Sequence, residues 1–215
     1  MCAIWDNEEG IHAGMVITGL YFAAGAAAAG ALLGWAVHPW AGAPFYIFAL
    51  FCLWFFRDPE REIPHGPYAV SPADGKIVRI KETPGETVVS IFLNIFDVHV
   101  NRAPVGGKVV DVQYKPGRFL VASRDEASVQ NEMNTITIDG RGTVVRFSQI
   151  AGLIARRVIC YKQPGDFVTA GERVGLIRFG SRVDVHLGPE WRLRVREGER
   201  VRAGSSILAE MTPKE

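Results

Sequence analysis

Residues 175–187 read GLIRFGSRVDVHL, two apolar runs rich in β-branched side chains that are joined by the pair Gly180–Ser181. Apolar residues that alternate with polar ones, together with β-branched content, favour strands. Similar runs, broken by Gly and Pro, recur from residue 76 onward: KIVRI, ETVVSIFL, KVVDVQY, NTITI, GTVVRFSQI, RRVICY, RLRVRE and SILAEM. This pattern predicts a mainly β domain, a barrel or sandwich, over residues 76–215.

An internal repeat lies on both sides of the Gly180–Ser181 pair. PGDFVTAGERVGLI (164–177) and EGERVRAGSSILAE (197–210) share x-G-acid-x-V-x-A-G followed by an apolar pair. The unit, strand, tight turn and strand, resembles the hammerhead of biotinyl and lipoyl carrier domains. Gly204 aligns with the turn glycine Gly171, so the second Gly-Ser pair of the chain, Gly204–Ser205, is interpreted as a turn. Gly180–Ser181 has no counterpart in the repeat.

The first 56 residues are of a different character. Residues 14–37 carry no charge and suit a membrane span, which needs about 20 apolar residues. Residues 45–56 are also apolar but short, which fits a tilted second span, a re-entrant segment or an interfacial helix. We expect a membrane-anchoring helical hairpin over 1–56, a Pro-rich connector over 57–75 and the β-rich domain over 76–215. Buried helices of a soluble protein are the alternative.

Charge and cysteine content narrow the function classes. Every Lys and Arg lies at residue 57 or later, so the positive-inside rule places residues 57–215 on the cytoplasmic side of a cell membrane. The net charge of +1 gives no reason to expect a nucleic-acid partner. Three widely spaced cysteines without a C-x-x-C pair predict neither a disulfide framework nor a metal site.

Five short motifs occur in a fixed order along the chain: FRDPER (56–61), SPADGKI (71–77), NIFDVHVNRAPVGG (94–107), NEMN (131–134) and FGSRVDV (179–185). Together they resemble the short, membrane-associated type of phosphatidylserine decarboxylase proenzyme, over nearly the whole chain. The resemblance implies a self-processing enzyme that converts phosphatidylserine to phosphatidylethanolamine and CO₂ through a Schiff base.

The resemblance also implies where the chain is cut and what the cofactor is. Cleavage between Gly180 and Ser181 would give a β chain, 1–180, and an α chain, 181–215, which remain together as a heterodimer. Ser181 would become a pyruvoyl group, so that no external cofactor is needed. A serine hydroxyl is a weak nucleophile that needs a base, and a preceding glycine permits close approach of the hydroxyl to its carbonyl.

Asp74 and His99 match further catalytic positions of the family. Asp74 matches the acid of the family's S-P-x-D-G motif, which pairs with a histidine there and helps to activate the serine; the alternative is an ordinary Asp-Gly turn. His99 is a candidate general base or proton donor, and a structural strand histidine is its alternative. Long-type relatives have H-x-x-H-x-P, whereas here Arg102 takes the second histidine's place. Two interpretations stay open: His99 does both jobs, or Asp74 acts without a histidine.

Several polar residues are candidates for holding the phosphate or the serine carboxylate of the lipid. Arginine suits such anions, although solvated strand charges are the simpler explanation for any one of them. The cationic candidates are Arg102, Lys115, Arg118, Arg156, Arg157 and Arg182. Asn131, Glu132 and Asn134 match an N-E-R-N-like stretch of the family, with Met133 in place of Arg, and either line the site or are structural.

Two functions without decarboxylase chemistry compete with this one. A biotinyl or lipoyl-type carrier would modify a lysine such as Lys76, although that lysine does not lie between the repeats. A membrane-anchored adaptor with a hammerhead domain would have no reaction at all. Under the decarboxylase hypothesis the substrate is phosphatidylserine, or another lipid with a serine headgroup, and the protein is bound to the membrane. A homo-oligomer is compatible with this hypothesis.

Overall fold

The computed structural model describes residues 11–12, 15–117, 131–140, 142–152, 158–177 and 181–212. Two compact units are formed, one within residues 6–60 and one within residues 61–215. Gly180 and three of the cationic candidates, Arg118, Arg156 and Arg157, lie outside the described residues.

The N-terminal unit is a helical hairpin. The short strands β1 (Ile11–His12) and β2 (Met15–Val16) precede helix α1 (Ile17–Ala36), a 3₁₀ turn (Pro39–Gly42) and helix α2 (Ala43–Phe55). Small residues let the two helices approach closely, since a Cβ at Gly42 would clash with the carbonyl oxygen of Gly30. By length and composition, α1 could cross a membrane, while α2 is shorter.

The C-terminal unit consists of strands, so the prediction of a mainly β domain is confirmed. The strands are β3 (Tyr68–Val70), β4 (Gly75–Thr83), β5 (Glu86–Leu93), β6 (Val100–Arg102), β7 (Gly107–Lys115), β8 (Met133–Gly140), β9 (Thr143–Ile150), β10 (Val158–Cys160), β11 (Phe167–Val168), β12 (Arg173–Ile177), β13 (Ser181–Leu187), β14 (Trp191–Leu193), β15 (Arg200–Val201) and β16 (Ile207–Met211).

One curled antiparallel sheet dominates the unit, with the strand order β11-β7-β8-β9-β13-β5-β4-β15. Two three-stranded sheets, β10-β12-β6 and β14-β16-β3, complete it. Strand β13 lies in the interior of the large sheet, where Val183, Val185 and Leu187 are fully buried in the core. Because side chains alternate between the faces of a strand, Ser181 points to the same core face.

The C-terminal unit contains a second pair of similar segments, in addition to the sequence repeat at 164–177 and 197–210. Residues 71–78, SPADGKIV, lead from the end of β3 into β4, and residues 103–110, APVGGKVV, lead from the end of β6 into β7. The hydrogen bonds are reciprocal: the Val70 N–H donates to the Pro104 carbonyl at 2.8 Å, and the Arg102 N–H donates to the Pro72 carbonyl at 2.9 Å.

The turn glycines of the sequence repeat, Gly171 and Gly204, also have matching conformations and hydrogen bonds. Gly171 and Gly204 have φ angles of +79° and +77°, in the left-handed region that favours glycine. Each donates its N–H at 2.8 Å, Gly171 to the Ala103 carbonyl and Gly204 to the Ser71 carbonyl. Gly204–Ser205 therefore belongs to a turn. The halves differ at one informative position, because Asp74 in the first half corresponds to a glycine in the second.

Candidate active site

Ser181 begins β13 between two neighbouring strands. Its register partner on β5 is Leu93, and the next residue, Arg182, pairs with Ile150 on β9. Ser181 is fully buried, and its Oγ has no hydrogen-bond partner among the described residues. Buried hydroxyl groups are normally paired, so an unpaired one requires an explanation other than packing, and a chemical role is one.

His99 approaches the chain segment that leads to Ser181. It is 1% exposed and stands immediately before β6. Its carbonyl oxygen accepts a hydrogen bond of 3.2 Å from the N–H of Ile177, the last residue of β12. The main chain thus holds His99 beside the end of β12, a few residues before the Gly180–Ser181 bond.

Asp74 is held by two donors. Arg61 contacts both carboxylate oxygens at 3.0 and 2.9 Å, and the Ala203 N–H donates to Oδ1 at 2.8 Å. The side chains of Arg61 and Asp74 are only 9% and 14% exposed, so the ion pair is largely buried. The partners of Asp74 in the described part of the chain are therefore an arginine and a turn, not a histidine.

Arg102, which replaces the second histidine of the long-type motif, is buried next to both repeat turns. Its Nη1 donates to the Gly171 carbonyl at 3.0 Å. A Cβ at Gly204 would lie 3.1 Å from its Cδ. The residue thus connects the two halves of the unit at the side where Asp74 lies.

Arg182 lies on the opposite face of the sheet from Ser181, because neighbouring residues of a strand point to opposite sides. Its guanidinium makes two hydrogen bonds to Asp184, at 2.8 and 2.7 Å, and both side chains are buried. Its charge is therefore matched within the protein. Lys115 is exposed at the end of β7.

Asn131 and Glu132 lie near Ser181 through the register of three adjacent strands. Met133 on β8 pairs with Ile150 on β9, which pairs with Arg182 on β13. One step further along the same ladder are Glu132, Ala151 and Ser181, and the Ala151 N–H donates to the Glu132 carbonyl at 2.9 Å.

Both side chains at this end of the ladder are buried. Asn131 donates from Nδ2 to the Ala151 carbonyl at 2.7 Å. Glu132 is 8% exposed, and its Oε1 accepts a long contact of 3.4 Å from the Val158 N–H. With no stronger partner among the described residues, this carboxylate is suited to bind a cationic group.

A chain of three side-chain amides begins on the face of the sheet that carries Ser181 and runs through the core. Asn134 donates to Gln149 Oε1 at 3.1 Å, Gln149 donates to Asn101 Oδ1 at 2.8 Å, and Asn101 donates to the Pro72 carbonyl at 3.4 Å. All three amides are fully buried. Since a carbonyl can only accept, Pro72 fixes the orientation of every amide in the chain.

This orientation leaves Asn134 Oδ1 as the end of the amide chain. The atom is buried and has no hydrogen-bond partner among the described residues. Asn134 lies on the core face, level with Gln149 and Val183. Two buried polar atoms on this face, Ser181 Oγ and Asn134 Oδ1, are thus unsatisfied, and together they mark a candidate site.

The sequence did not predict Gln149, Asn101 or Arg61 as parts of this site. A glutamine within the buried run FSQIAG was the available signal for Gln149, since an amide in a buried strand requires partners. For Arg61 the signal was only its place in FRDPER. The described residues contain no group of three or more His, Cys, Asp or Glu side chains that could hold a metal ion.

A separate ionic cluster occupies the far part of β13. Glu86 binds Arg146 at 2.6 Å and His186 Nδ1 at 3.3 Å. Burial would raise the pKa of the Glu86 carboxyl, but the hydrogen bond from Arg146 and the proximity of His186 outweigh it, and the pKa is lowered. His186 shares the face of Arg182 rather than that of Ser181, so this cluster lies outside the candidate site.

Comparison with known proteins agrees with the motifs. A family model described as phosphatidylserine decarboxylase matches residues 48–209. A phosphatidylserine decarboxylase proenzyme of Solibacter usitatus is 60% identical over 195 residues, which are 91% of this chain and 96% of that protein. A protein of the same description from Cupriavidus pinatubonensis is 48% identical over 181 residues, 80% of this chain and 83% of that protein.

Proposed function

The chain belongs to the phosphatidylserine decarboxylase family, and from this premise we propose that it cuts itself at Gly180–Ser181 and decarboxylates phosphatidylserine to phosphatidylethanolamine. The single observation that carries the proposal is the buried, unpaired Oγ of Ser181 at the start of an interior strand. Packing alone does not explain a buried hydroxyl without a hydrogen-bond partner at this position, whereas the attack on the Gly180 carbonyl requires a nucleophile at this position.

The cleavage is a rearrangement of the chain's own atoms. Ser181 Oγ attacks the Gly180 carbonyl carbon, the C–N bond breaks, and the Oγ proton passes through a base to the released nitrogen, so that an ester replaces the amide. Loss of the Ser181 α-proton then expels the Gly180 carboxylate and leaves a dehydroalanine. Addition of water to its imine tautomer releases ammonia and gives the pyruvoyl group.

The surroundings of Ser181 fit such a group. Leu93, its ladder partner on β5, and Ala151, the residue that follows β9, are buried apolar residues that exclude water. When formed, a pyruvoyl carbonyl supplies the electron sink for loss of CO₂ that an external cofactor supplies in other enzymes. The unpaired Asn134 Oδ1 is available to accept a hydrogen bond from the amine of the substrate.

The sheet explains how the α chain would stay in place after the cut. Strand β13 is paired along its length with β5 and over five residues with β9, and β15 and β16 pair with β4 and β3. These ladders do not depend on the peptide bond between residues 180 and 181. They support a heterodimer of chains 1–180 and 181–215.

We assign the proton transfers to His99. An imidazole changes its charge near neutral pH and can serve first as a base in cleavage and later as the proton donor to the decarboxylated carbon. Asp74 already accepts from Arg61 and from Ala203, so its role is to order the turn beside the site. This arrangement favours the interpretation in which His99 performs both jobs.

The anionic parts of the headgroup need a cationic side chain. Of the two described arginine candidates we prefer Arg102, which is buried next to the repeat turns, since Arg182 is bound to Asp184 on the face of the sheet opposite Ser181. Asn131 and Glu132 lie just before β8, where Glu132 is level with Ser181 and is suited to bind the substrate ammonium.

We further propose that α1 anchors the chain in the cell membrane with the β-rich unit on the cytoplasmic side. The apolar length of α1 and the position of every Lys and Arg after residue 56 support this orientation. A lipid with two acyl chains stays in the bilayer, so an enzyme acting on its headgroup gains from being held there. A homo-oligomer is compatible with the proposal.

Ser181→Ala and Ser205→Ala together test the function, because both serines follow a glycine and only one is unpaired in the core. Each variant and the wild type would be purified in detergent, analysed for cleavage by gel and mass, and assayed for CO₂ released from phosphatidylserine. We expect Ser181→Ala to abolish cleavage and decarboxylation, and Ser205→Ala to retain both. Cleavage that survives Ser181→Ala would refute the assignment of the cut to Ser181, whereas a wild-type chain that stays whole would favour the adaptor function.

A further inference from the structure

An exposed apolar turn follows β5 at the end of the sheet where Ser181 lies. Its two central residues are Ile95, 40% exposed, and Phe96, 69% exposed. Leu93, two residues earlier, is the ladder partner of Ser181. Single exposed apolar residues are common on soluble proteins, but two large ones at the tip of a turn beside a reactive centre need a reason.

The turn is held rigidly in this exposed conformation. Asp97 Oδ2 accepts from the Asn94 N–H at 2.9 Å, Asn94 Oδ1 accepts from the Phe96 N–H at 2.7 Å, and the Asp97 N–H donates to the Asn94 carbonyl at 3.1 Å. Such a network costs conformational freedom that a mobile loop would keep. Ile95 and Phe96 are therefore presented outward by a preorganised backbone.

Positive charges border the turn. Arg200 binds Asp97 Oδ1 at 2.6 Å and neutralises the acid of the turn, while its own side chain stays 63% exposed. Arg200 pairs in the ladder with Lys76, which is exposed and pairs with Phe92. An exposed apolar tip whose acid is neutralised, with a lysine nearby, is suited to the headgroup region of an anionic bilayer.

We propose that the turn 94–97 inserts Ile95 and Phe96 into the lipid bilayer and so holds the Ser181 end of the sheet at the level of the lipid headgroups. The inference deepens the proposed function and rests on it for the identity of the substrate, but the insertion itself is a physical property of the turn. The occupant is lipid, because the exposed tip is apolar, Arg200 neutralises the acid of the turn, and Lys76 adds a positive charge in the neighbouring strand.

Phe167 provides a matched control. Phe167 is 77% exposed and pairs with Lys108. This pair lies at the end of the large sheet opposite to the end where Phe92 pairs with Arg182. Phe96→Cys and Phe167→Cys would each be prepared in the full chain with Cys2→Ser, since Cys52 and Cys160 are buried. An environment-sensitive fluorophore on the new thiol then reports the surroundings of each position.

The labelled chains would be reconstituted in vesicles of phosphatidylcholine and phosphatidylglycerol. We expect the label at position 96 to be shielded from aqueous iodide and quenched by nitroxide-bearing lipid, and the label at position 167 to behave in the opposite way. Equal iodide quenching at both positions would overturn the inference. Shielding at position 96 without quenching by the lipid nitroxide would mean that protein covers the turn and would overturn it as well.

Activity gives a second readout. Ile95→Ser/Phe96→Ser should lower the rate on phosphatidylserine in vesicles at least about tenfold, because each apolar side chain transferred from water contributes about a tenfold factor or more. Self-cleavage and turnover of water-soluble short-chain phosphatidylserine should be unaffected, and Phe167→Ser should change neither rate. An unaltered vesicle rate in the double variant would count against insertion. Failure of the proposed function would instead appear as an uncut wild-type chain, and the fluorophore result would still decide on the turn.

Discussion

Gln149→Met should destabilise the β-rich unit more than a buried change of similar size normally does. Gln149 is fully buried, accepts from Asn134 at 3.1 Å and donates to Asn101 at 2.8 Å. Methionine has nearly the same volume, so the cavity contribution is small. What remains is a buried donor on Asn134 and a buried acceptor on Asn101, each left unpaired at a cost of about 1–3 kcal/mol.

The expected loss in the free energy of unfolding is the sum of these costs, about 2–6 kcal/mol, which is a large part of the 5–15 kcal/mol typical of a domain. Urea unfolding in detergent, followed by circular dichroism, would measure it. All variants would carry Ser181→Ala so that the chain is uniform.

A double-mutant cycle with Asn134→Leu separates the hydrogen bond from packing. The double variant removes both partners of one bond and leaves only the Asn101 acceptor unpaired. The costs of the unpaired Asn134 donor and of the unpaired Gln149 acceptor both disappear, so the cost of the double variant should fall short of the sum of the single costs by about 2–6 kcal/mol. Strictly additive costs, or a Gln149→Met variant within about 0.5 kcal/mol of its parent, would refute the reasoning that these amides form one connected chain.

Three further results are expected. Arg61→Gln leaves the largely buried Asp74 carboxylate without its cation, which should destabilise the unit by about 3–5 kcal/mol and slow self-cleavage, measured by urea unfolding and by a gel time course; Arg61→Lys should recover part of both. His99→Gln should reduce decarboxylation by about 10²–10⁴-fold in the CO₂ assay, and a decrease of less than tenfold would remove His99 from proton transfer. Burial raises the pKa of Glu172, but the hydrogen bond from Lys162 outweighs it and the pKa lies below the ordinary 4.5. The ionised carboxyl therefore stabilises the folded state above pH 4.5, and this stabilisation is lost as the pH falls through the lowered pKa. The difference in melting temperature between wild type and Glu172→Gln should shrink over that pH interval. A difference that stays constant with pH would contradict this prediction.

The sequence was sufficient for those features that depend on local pattern. Alternation and β-branched content located most strands, and the repeat correctly separated the turn at Gly204–Ser205 from the unpaired Ser181. The sequence did not reveal that SPADGKIV and APVGGKVV are a matching pair. Their similarity is apparent only from the reciprocal hydrogen bonds that the two segments make.

The contacts that define the site depend on register between distant strands. The chain from Asn134 through Gln149 and Asn101 joins β8, β9 and β6, and no sequence spacing specifies which side chains face one another there. The family motif suggests a histidine partner for Asp74, whereas the structure pairs Asp74 with Arg61. Sequence spacing could not predict this pairing either. A shift of one residue in β13 would have exchanged Ser181 and Arg182 between the faces of the sheet.

The most direct test of the account is the intact mass of the purified wild-type protein. Conversion of Ser181 to a pyruvoyl group predicts two species with the masses of residues 1–180 and 181–215, the second lighter by one ammonia than the same peptide with an N-terminal serine. A single species with the mass of the whole chain, or a fragment 181–215 that retains its serine, would contradict the central claim.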